Sequence, residues 1–292
     1  MGSKPNHLPN GRASMSNADR LAHLSPRRRE IIRPALEDPR QYVLLSVRDM
    51  AKKLGTDPAT TVRIARGLGF ESYKEFQYYL HELSVVRATS LDTMQAASAT
   101  DSSVSTLLRE CLQHDLKNFR GVYNGVDLDR LQKVARRLWN ARRILVIGGD
   151  AATCLVNYLH YHLNILGLPV FIATAPGPTV HLVRSMKKGD VILAISFRRG
   201  LRMTIEGIQQ ARKLGAYCIG VTDSYISPVA LYCNEFFLAS VETPSFGASY
   251  SAPMCLLNTL MAAVAEVHRT KTLQILKKVA EEQRHGFRFY QE

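Results

Sequence analysis

The chain has 292 residues, 46% of them hydrophobic and 22% charged, enough for two domains with separate cores and unlike a disordered or fibrous protein. Its formal net charge of +13 favours polyanionic partners. Five scattered cysteines without a C-x-x-C pair argue against a disulfide framework or a zinc site and suit a reducing cytosol. Without a signal peptide or an apolar run of about 18 residues, a cytoplasmic protein is expected.

Residues 1–18 are polar with no apolar period and are expected to form a disordered tail. A helical domain is expected over residues 19–87. Ser25-Pro26 opens its first helix with the proline at N1, and Ile31, Ile32 and Leu36 give that helix an apolar face. The triplet Arg27-Arg28-Arg29 reads as a solvated face or an edge contact to a polyanion. Between residues 20 and 66 there are 11 Lys and Arg against 5 Asp and Glu, so basic charge is densest here without being confined to it.

Two short helices joined by a tight turn follow. Ser46 caps the first, and Asp49 is its acidic N3 partner. Val47, Met50, Ala51 and Leu54 recur at i, i+3, i+4 and i+7, giving one apolar face. Gly55 permits the left-handed conformation that ends a helix, and Asp57-Pro58 restarts the chain as N-cap and N1 proline. In the second helix Thr61, Ile64, Ala65 and Leu68 face inward, Thr60, Arg63 and Arg66 face outward, and Gly69 stops it. A helix–turn–helix sets its second helix into the DNA major groove. Arginine reads guanine bidentately there, and hydroxyls and cations hold phosphates. The candidate DNA-contacting residues are Ser46, Lys52, Thr60, Thr61, Arg63 and Arg66. The plainer reading is a helical hairpin within an all-α domain.

Beyond Phe70, the residues Tyr73, Phe76, Gln77, Tyr79, Leu80 and Leu83 continue helically and close this domain, with the aromatics as core. Residues 88–106, rich in Ala, Ser and Thr, read as a linker that is partly helical. A helix is expected over 107–123, with Leu108, Cys111, Leu112, Leu116 and Phe119 on its apolar side, at the start of a second domain covering 107–292. There, apolar runs at 144–147, 169–172, 191–196, 217–221 and 235–238 alternate with helical patterns at 131–139, 154–166, 179–186 and 203–214. Continuous apolar strands between helices imply a parallel sheet covered on both faces. The expected fold class is thus an all-α helix–turn–helix domain followed by an α/β doubly wound parallel-sheet domain.

Ligands in such sheets sit outside the carboxyl ends of the strands. The loops after the first and third strands, Gly148-Gly149-Asp150-Ala151-Ala152-Thr153 and Ser196-Phe197-Arg198-Arg199-Gly200-Leu201, are therefore the candidate effector site. Its candidate residues are Gly148, Gly149, Asp150, Thr153, Ser196, Arg198 and Arg199. A glycine-rich strand-to-helix turn offers N–H groups to an anion, although glycine after a buried strand is often only steric. There is no G-x-G-x-x-G and no Walker lysine, and no cofactor or metal is expected.

The segment P-A-T-T-V-R-I-A-R-G-L-G-F-E-S-Y-K-E-F from Pro58 to Phe76 closely resembles the recognition helix and following helix of RpiR-type (MurR/RpiR) transcriptional regulators. Residues 130–270, with T-D-S-Y-I-S-P-V-A-L after the fourth strand, resemble the SIS (sugar isomerase) fold that follows that helix–turn–helix. The resemblance implies a DNA-binding regulator of carbohydrate or related metabolism whose SIS domain binds a phosphosugar or related metabolite. It also implies a homodimer or homotetramer.

The sequence departs where phosphosugar binders are most alike. Their third-strand loop reads roughly S-x-S-G-x-T, whereas Arg198, Arg199 and Leu201 stand here for the second Ser, the Gly and the Thr. Asp150 stands where a second glycine is usual and Ala152 where a serine is. An arginine in this loop can fork onto a phosphate or carboxylate, while Asp150 repels an anion or holds ligand hydroxyls or an amine. Alternatively Asp150 pairs with one of the arginines and leaves no anion site. A small anionic effector, another ligand class and a purely dimerising domain are the readings in that order. No catalytic residue is assigned, because His160, His162, His181 and Glu206 form no acid–base pair. The other class is a sugar-phosphate isomerase-like SIS enzyme with a helical appendage. Residues 242–246 and the helix after Ala252 are candidates for lining the pocket or a subunit interface.

Overall fold

The structure is a computed structural model that describes residues 23–43, 45–86, 90–98, 103–198, 200–224 and 227–285. The expected tail at 1–18 lies outside the described residues. The N-terminal unit consists of α1 (Pro26–Glu37), a 3-10 turn (Pro39–Gln41), α2 (Val47–Lys53), α3 (Pro58–Gly67) and α4 (Tyr73–Val86). Its core gathers the apolar faces read from the periodicity: Ile32, Leu36, Met50, Ile64, Ala65 and Leu68 pack on Phe70, Phe76, Tyr79 and Leu80. Phe76 and Tyr79 are thus core and Tyr73 packs against them, while Tyr78 is exposed; the Phe70 and Phe76 ring centroids lie 5.4 Å apart. The α2–α3 turn forms as its residues dictate. The Ser46 hydroxyl accepts the Asp49 N–H at 3.2 Å, the Asp57 carboxylate accepts the Thr60 N–H at 2.8 Å, and Gly55 takes φ +65°.

The segment expected as linker contains a helix, α5 (Ser90–Ser98), and the next, α6 (Val104–Gly125), begins three residues earlier than expected, because Ser103 caps it by accepting the Thr106 N–H. Then come α7 (Leu128–Trp139), β1 (Arg143–Ile147), a 3-10 turn (Asp150–Ala152), α8 (Thr153–Ile165), β2 (Val170–Ala173), α9 (Pro176–Arg184) and β3 (Asp190–Ile195). The chain continues through α10 (Arg202–Lys213), β4 (Tyr217–Thr222), α11 (Pro228–Tyr232), β5 (Glu235–Leu238), α12 (Ser251–Val267) and α13 (Arg269–His285). The helix expected at 179–186 begins earlier, at Pro176, where proline at N1 starts it without loss of a hydrogen bond.

All five strands pair in parallel in the order β2-β1-β3-β4-β5. Alternate residues feed two cores. Ile144, Val146, Leu193, Ile195, Ile219 and Val221 pack with Leu131 and Leu138 of α7, Leu155 and Leu159 of α8, and Leu257 and Leu260 of α12. Leu145, Ile147, Ile192, Ala194 and Cys218 face the other way, onto Val183 of α9, Ile208 of α10 and Val229 of α11. Burying one such Leu or Ile stabilises the fold by about 1.5–3 kcal/mol, so a sheet covered on both faces forms a firm platform. The strand order reverses between β1 and β3. There the crossovers leave for opposite faces and a crevice opens at the strands' carboxyl ends.

Candidate functional site

On the helix–turn–helix, Ser46, Lys52, Arg63 and Arg66 are exposed and Thr60 is half-buried, so these five share the accessible side of α2 and α3. Thr61 does not belong with them. Its side chain is fully buried and its hydroxyl donates to the Asp57 carbonyl at 3.2 Å, so its inward position on the α3 face withdraws it from the accessible side. The Thr60 hydroxyl donates to the Asp57 carboxylate at 2.6 Å and accepts from Arg63 Nη2 at 2.9 Å. Those bonds hold the Asp57 carboxyl below its ordinary pKa, the hydroxyl bond foremost, and lay Arg63 along its own helix. Exposed Arg48 on α2 adds a cation that the sequence reading passed over. Lys53 is instead engaged by Gln41 and lies over the Tyr42 ring.

At the crevice between β1 and β3 lies a cavity of about 300 Å³, lined by Ser90, Gly149, Asp150, Ser196, Phe197, Arg198, Leu201 and Tyr250, with Ala152 and Gly200. This size is at the lower end for small-molecule sites. Four of the expected residues meet here: Gly149, Asp150, Ser196 and Arg198. Arg199 lies outside the described residues. Gly148 and Thr153 are not part of the lining. A Cβ on Gly148 would stand 2.9 Å from the Ile195 carbonyl and 3.0 Å from Val156, so that glycine serves strand-to-helix packing. Thr153 opens α8 from a half-buried position.

The third-strand loop is braced internally. The Arg198 N–H donates to both carboxylate oxygens of Asp223, at 2.9 and 3.1 Å. The Leu201 N–H donates to Ser196 Oγ at 3.0 Å, and the Gly200 N–H to the Phe197 carbonyl at 3.2 Å. The guanidinium of Arg198 donates through Nη2 to the Gly247 carbonyl at 2.8 Å. Asp150 and Arg198 form no ion pair with each other among the described residues. Both hold left-handed backbone, with φ +50° and +55°, a conformation that side chains bearing a Cβ adopt at a cost of about 1–2 kcal/mol. Tyr250 meets Phe197 edge-on at 5.4 Å. Burial, first, and then the nearby Cys154 raise its phenol pKa, with Arg198 opposing and Asp223 and Asp150 adding. The phenol is therefore a neutral donor at neutral pH.

His160, His162, His181 and Glu206 all lie outside the lining. His162 contacts the Tyr158 carbonyl through Nδ1 at 2.9 Å, and Glu206 accepts from Arg202 at 2.7 Å. Of the region after β5, the loop just before α12 supplies Tyr250 and Gly247, next to rather than within the expected 242–246. That loop is also tied to α6. Asp115 accepts from the hydroxyls of Ser249 and, at 3.0 Å, Ser251, and Asn118 Nδ2 donates to the Glu242 carbonyl at 2.8 Å. No periodicity reports such contacts. Asp115 looks like one polar residue among several on α6, and Tyr250 follows a stretch without regular structure.

The family description for the SIS domain matches residues 137–265. The chain is 22% identical over 261 residues to an uncharacterized HTH-type transcriptional regulator of Caldanaerobacter subterraneus subsp. tengcongensis, spanning 88% of this chain and 92% of that one. It is 23% identical over 233 residues to the HTH-type transcriptional regulator RpiR of Escherichia coli K12, spanning 76% of each. Among solved structures, the Vibrio vulnificus NanR protein complexed with ManNAc-6P superposes with a TM-score of 0.58 at 18% identity, over 91% of this chain and 96% of that one. That likeness concerns the fold and covers both halves of the chain. Among the described residues, no helix is long and apolar enough to cross a membrane.

The strain at Asp150 is measurable. Glycine adopts its φ of +50° freely but loses about 0.5–1 kcal/mol to extra freedom in the unfolded chain. Asp150→Gly is therefore expected to raise stability by about 0.5–1 kcal/mol in urea unfolding. A loss of stability would mean that the carboxylate holds the loop together.

Proposed function

We propose that the chain, which is similar to HTH-type regulators including RpiR and carries a C-terminal SIS domain, is an RpiR-type, sequence-specific DNA-binding transcriptional regulator of carbohydrate or related metabolism. It acts in the cytoplasm, on a duplex operator, under the control of a small anionic metabolite held in the cavity between β1 and β3. NanR, a protein of the same overall fold, is described in complex with a phosphorylated sugar. The observation that carries the reading is the pairing of an exposed cationic face on α2 and α3 with a cavity at the sheet's switch point. The cavity residues hold Arg198 to the Gly247 carbonyl, and the same 242–251 segment holds Asp115 and Asn118 of α6. A ligand that engages Arg198 competes with Gly247, loosens that segment and shifts α6, the helix that leads back toward the DNA-reading unit. Such a shift changes operator affinity only insofar as the ligand prefers one arrangement. No catalytic role is assigned. Salt-dependent retention on duplex DNA discriminates against a SIS isomerase with a helical appendage, which has no need of it.

The regulator is further read as a homodimer or homotetramer. Along α6, Leu108, Leu112, Leu116, Phe119 and Tyr123 recur at steps of four, four, three and four and are 37–86% exposed in the single chain. A stripe of this kind on one helix suits pairing with a second copy. A paired reader then matches a two-half-site operator.

Three measurements test the reading. Arg63→Ala should weaken specific operator binding by about 1–3 kcal/mol in a gel shift, and unchanged affinity would remove Arg63 from the contact surface. Leu112→Asp together with Leu116→Asp should reduce the mass in light scattering; an unchanged mass would place the interface elsewhere. Asp115→Ala should leave the separate ligand and DNA affinities near wild type. The ligand's effect on DNA affinity, typically about 5–150-fold in coupled systems, should shrink toward none, and full coupling in this variant would dismiss the route through α6.

A further inference from the structure

The anion-binding turn of the third-strand loop is already occupied by the protein itself. Its Arg198, Gly200 and Leu201 N–H groups donate to Asp223, the Phe197 carbonyl and Ser196 Oγ. A phosphate seated there has to displace these acceptors and sit against the Asp223 carboxylate. The floor of the turn is apolar as well, since a Cβ on Gly149 would stand 2.7 Å from Met203 Cε and 2.8 Å from Leu201 Cδ1. What the cavity offers instead are side chains of opposite charge. Asp150 has no hydrogen bond or ion pair from its carboxylate among the described residues. Arg198 spends one N–H on the neutral Gly247 carbonyl, a partner that a planar anion outcompetes for the donor fork. Tyr250 lines the same cavity and adds a neutral phenol.

Building on the reading of this cavity as the effector site, we propose that its ligand is a small unphosphorylated carboxylic acid bearing an amine or adjacent hydroxyls. The carboxylate seats on the Arg198 guanidinium and the donor groups on Asp150. A phosphate dianion suits this arrangement worse than a carboxylate on two counts. It brings a second negative charge beside both Asp150 and Asp223, and among the described residues of the lining its three terminal oxygens find one arginine, with the Arg198, Gly200 and Leu201 N–H groups already engaged. The carboxylate presents two coplanar oxygens, the number that a guanidinium edge satisfies, and the ligand's own amine or hydroxyls supply what Asp150 lacks.

Isothermal titration of the full-length chain with gluconate, glucuronate and 2-amino-2-deoxygluconate, beside glucose 6-phosphate, glucosamine 6-phosphate and inorganic phosphate, tests this. The expected result is saturable binding of at least one of the acids and none of the phosphates. Arg198→Gln should weaken that binding at least tenfold, and Asp150→Asn should weaken the amino acid form more than the hydroxy acids. Unfolding midpoints of both variants without ligand are read alongside, so that a folding defect is not taken for lost recognition. Saturable binding of a phosphorylated sugar that is indifferent to Arg198→Gln overturns the proposal while leaving an effector-controlled regulator standing. Failure of every compound to bind, with operator binding intact, overturns both the proposal and the reading of the cavity as an effector site.

Discussion

The covering of a parallel sheet on both faces is the constraint from which the C-terminal half of the molecule follows. Parallel strands need crossovers, and their apolar residues alternate between two cores that helices must seal. Here α7, α8 and α12 seal one and α9, α10 and α11 the other. Since β1 lies between β2 and β3, its crossover and that of β3 depart on opposite sides. The two loops cannot close over each other, and the sheet edge between them is left open. The cavity is thus a product of topology. Residue choice decides only what that opening recognises.

Residue choice also decides to what the opening is connected. Residues 242–250 carry no regular structure, so their backbone groups need partners from elsewhere. They find them on two sides: Arg198 takes the Gly247 carbonyl, and Asn118 of α6 takes the Glu242 carbonyl. Asp115 adds a carboxylate for the Ser249 and Ser251 hydroxyls at the start of α12. A segment braced from both sides by polar bonds of modest net strength, about 0.5–1.5 kcal/mol each or somewhat more where charged, is more easily rearranged than the apolar cores beside it. Ser90 of α5 also reaches the cavity lining, so the chain between the two units touches the cavity directly. Under the proposed effector control, transmission needs no long path through the sheet.

Much of this was legible in the order of residues. Runs such as Ile144-Leu145-Val146-Ile147 lack polar alternation because both of their faces are buried, and that is why they read as inner strands. Caps at Ser46 and Asp57 and the turn at Gly55 read correctly because each depends only on neighbours three or four residues away. Thr61 went astray because a hydroxyl suits both a phosphate and a helix interior; burial chose the second, giving it its own helix's carbonyl as acceptor. Gly148 misled in the same way, since a glycine that admits a phosphate and one that admits a neighbouring strand look alike in one dimension. Asp223 and Tyr250 lie far along the chain from the loops they complete, and only the fold brings them to the third-strand loop.

The left-handed backbone at Asp150 and Arg198 ties these threads together. Glycine at either position would relieve the conformation, and a serine or glycine cradle would bind phosphate with less strain. That two charged residues stand there instead, unpaired with each other, means the loop geometry is held by its surroundings: Asp223 grips the Arg198 N–H and Gly247 grips its guanidinium. Local strain persists only where packing over-determines it. Under the proposed reading, a ligand that satisfies both charges need not build the site, only outbid Gly247 for one arm of an arginine. The free energy available for regulation is then bounded by that exchange. The difference between a carbonyl and a carboxylate as partner for Arg198 is about 1–2 kcal/mol, which is the scale of coupling that allosteric regulators use.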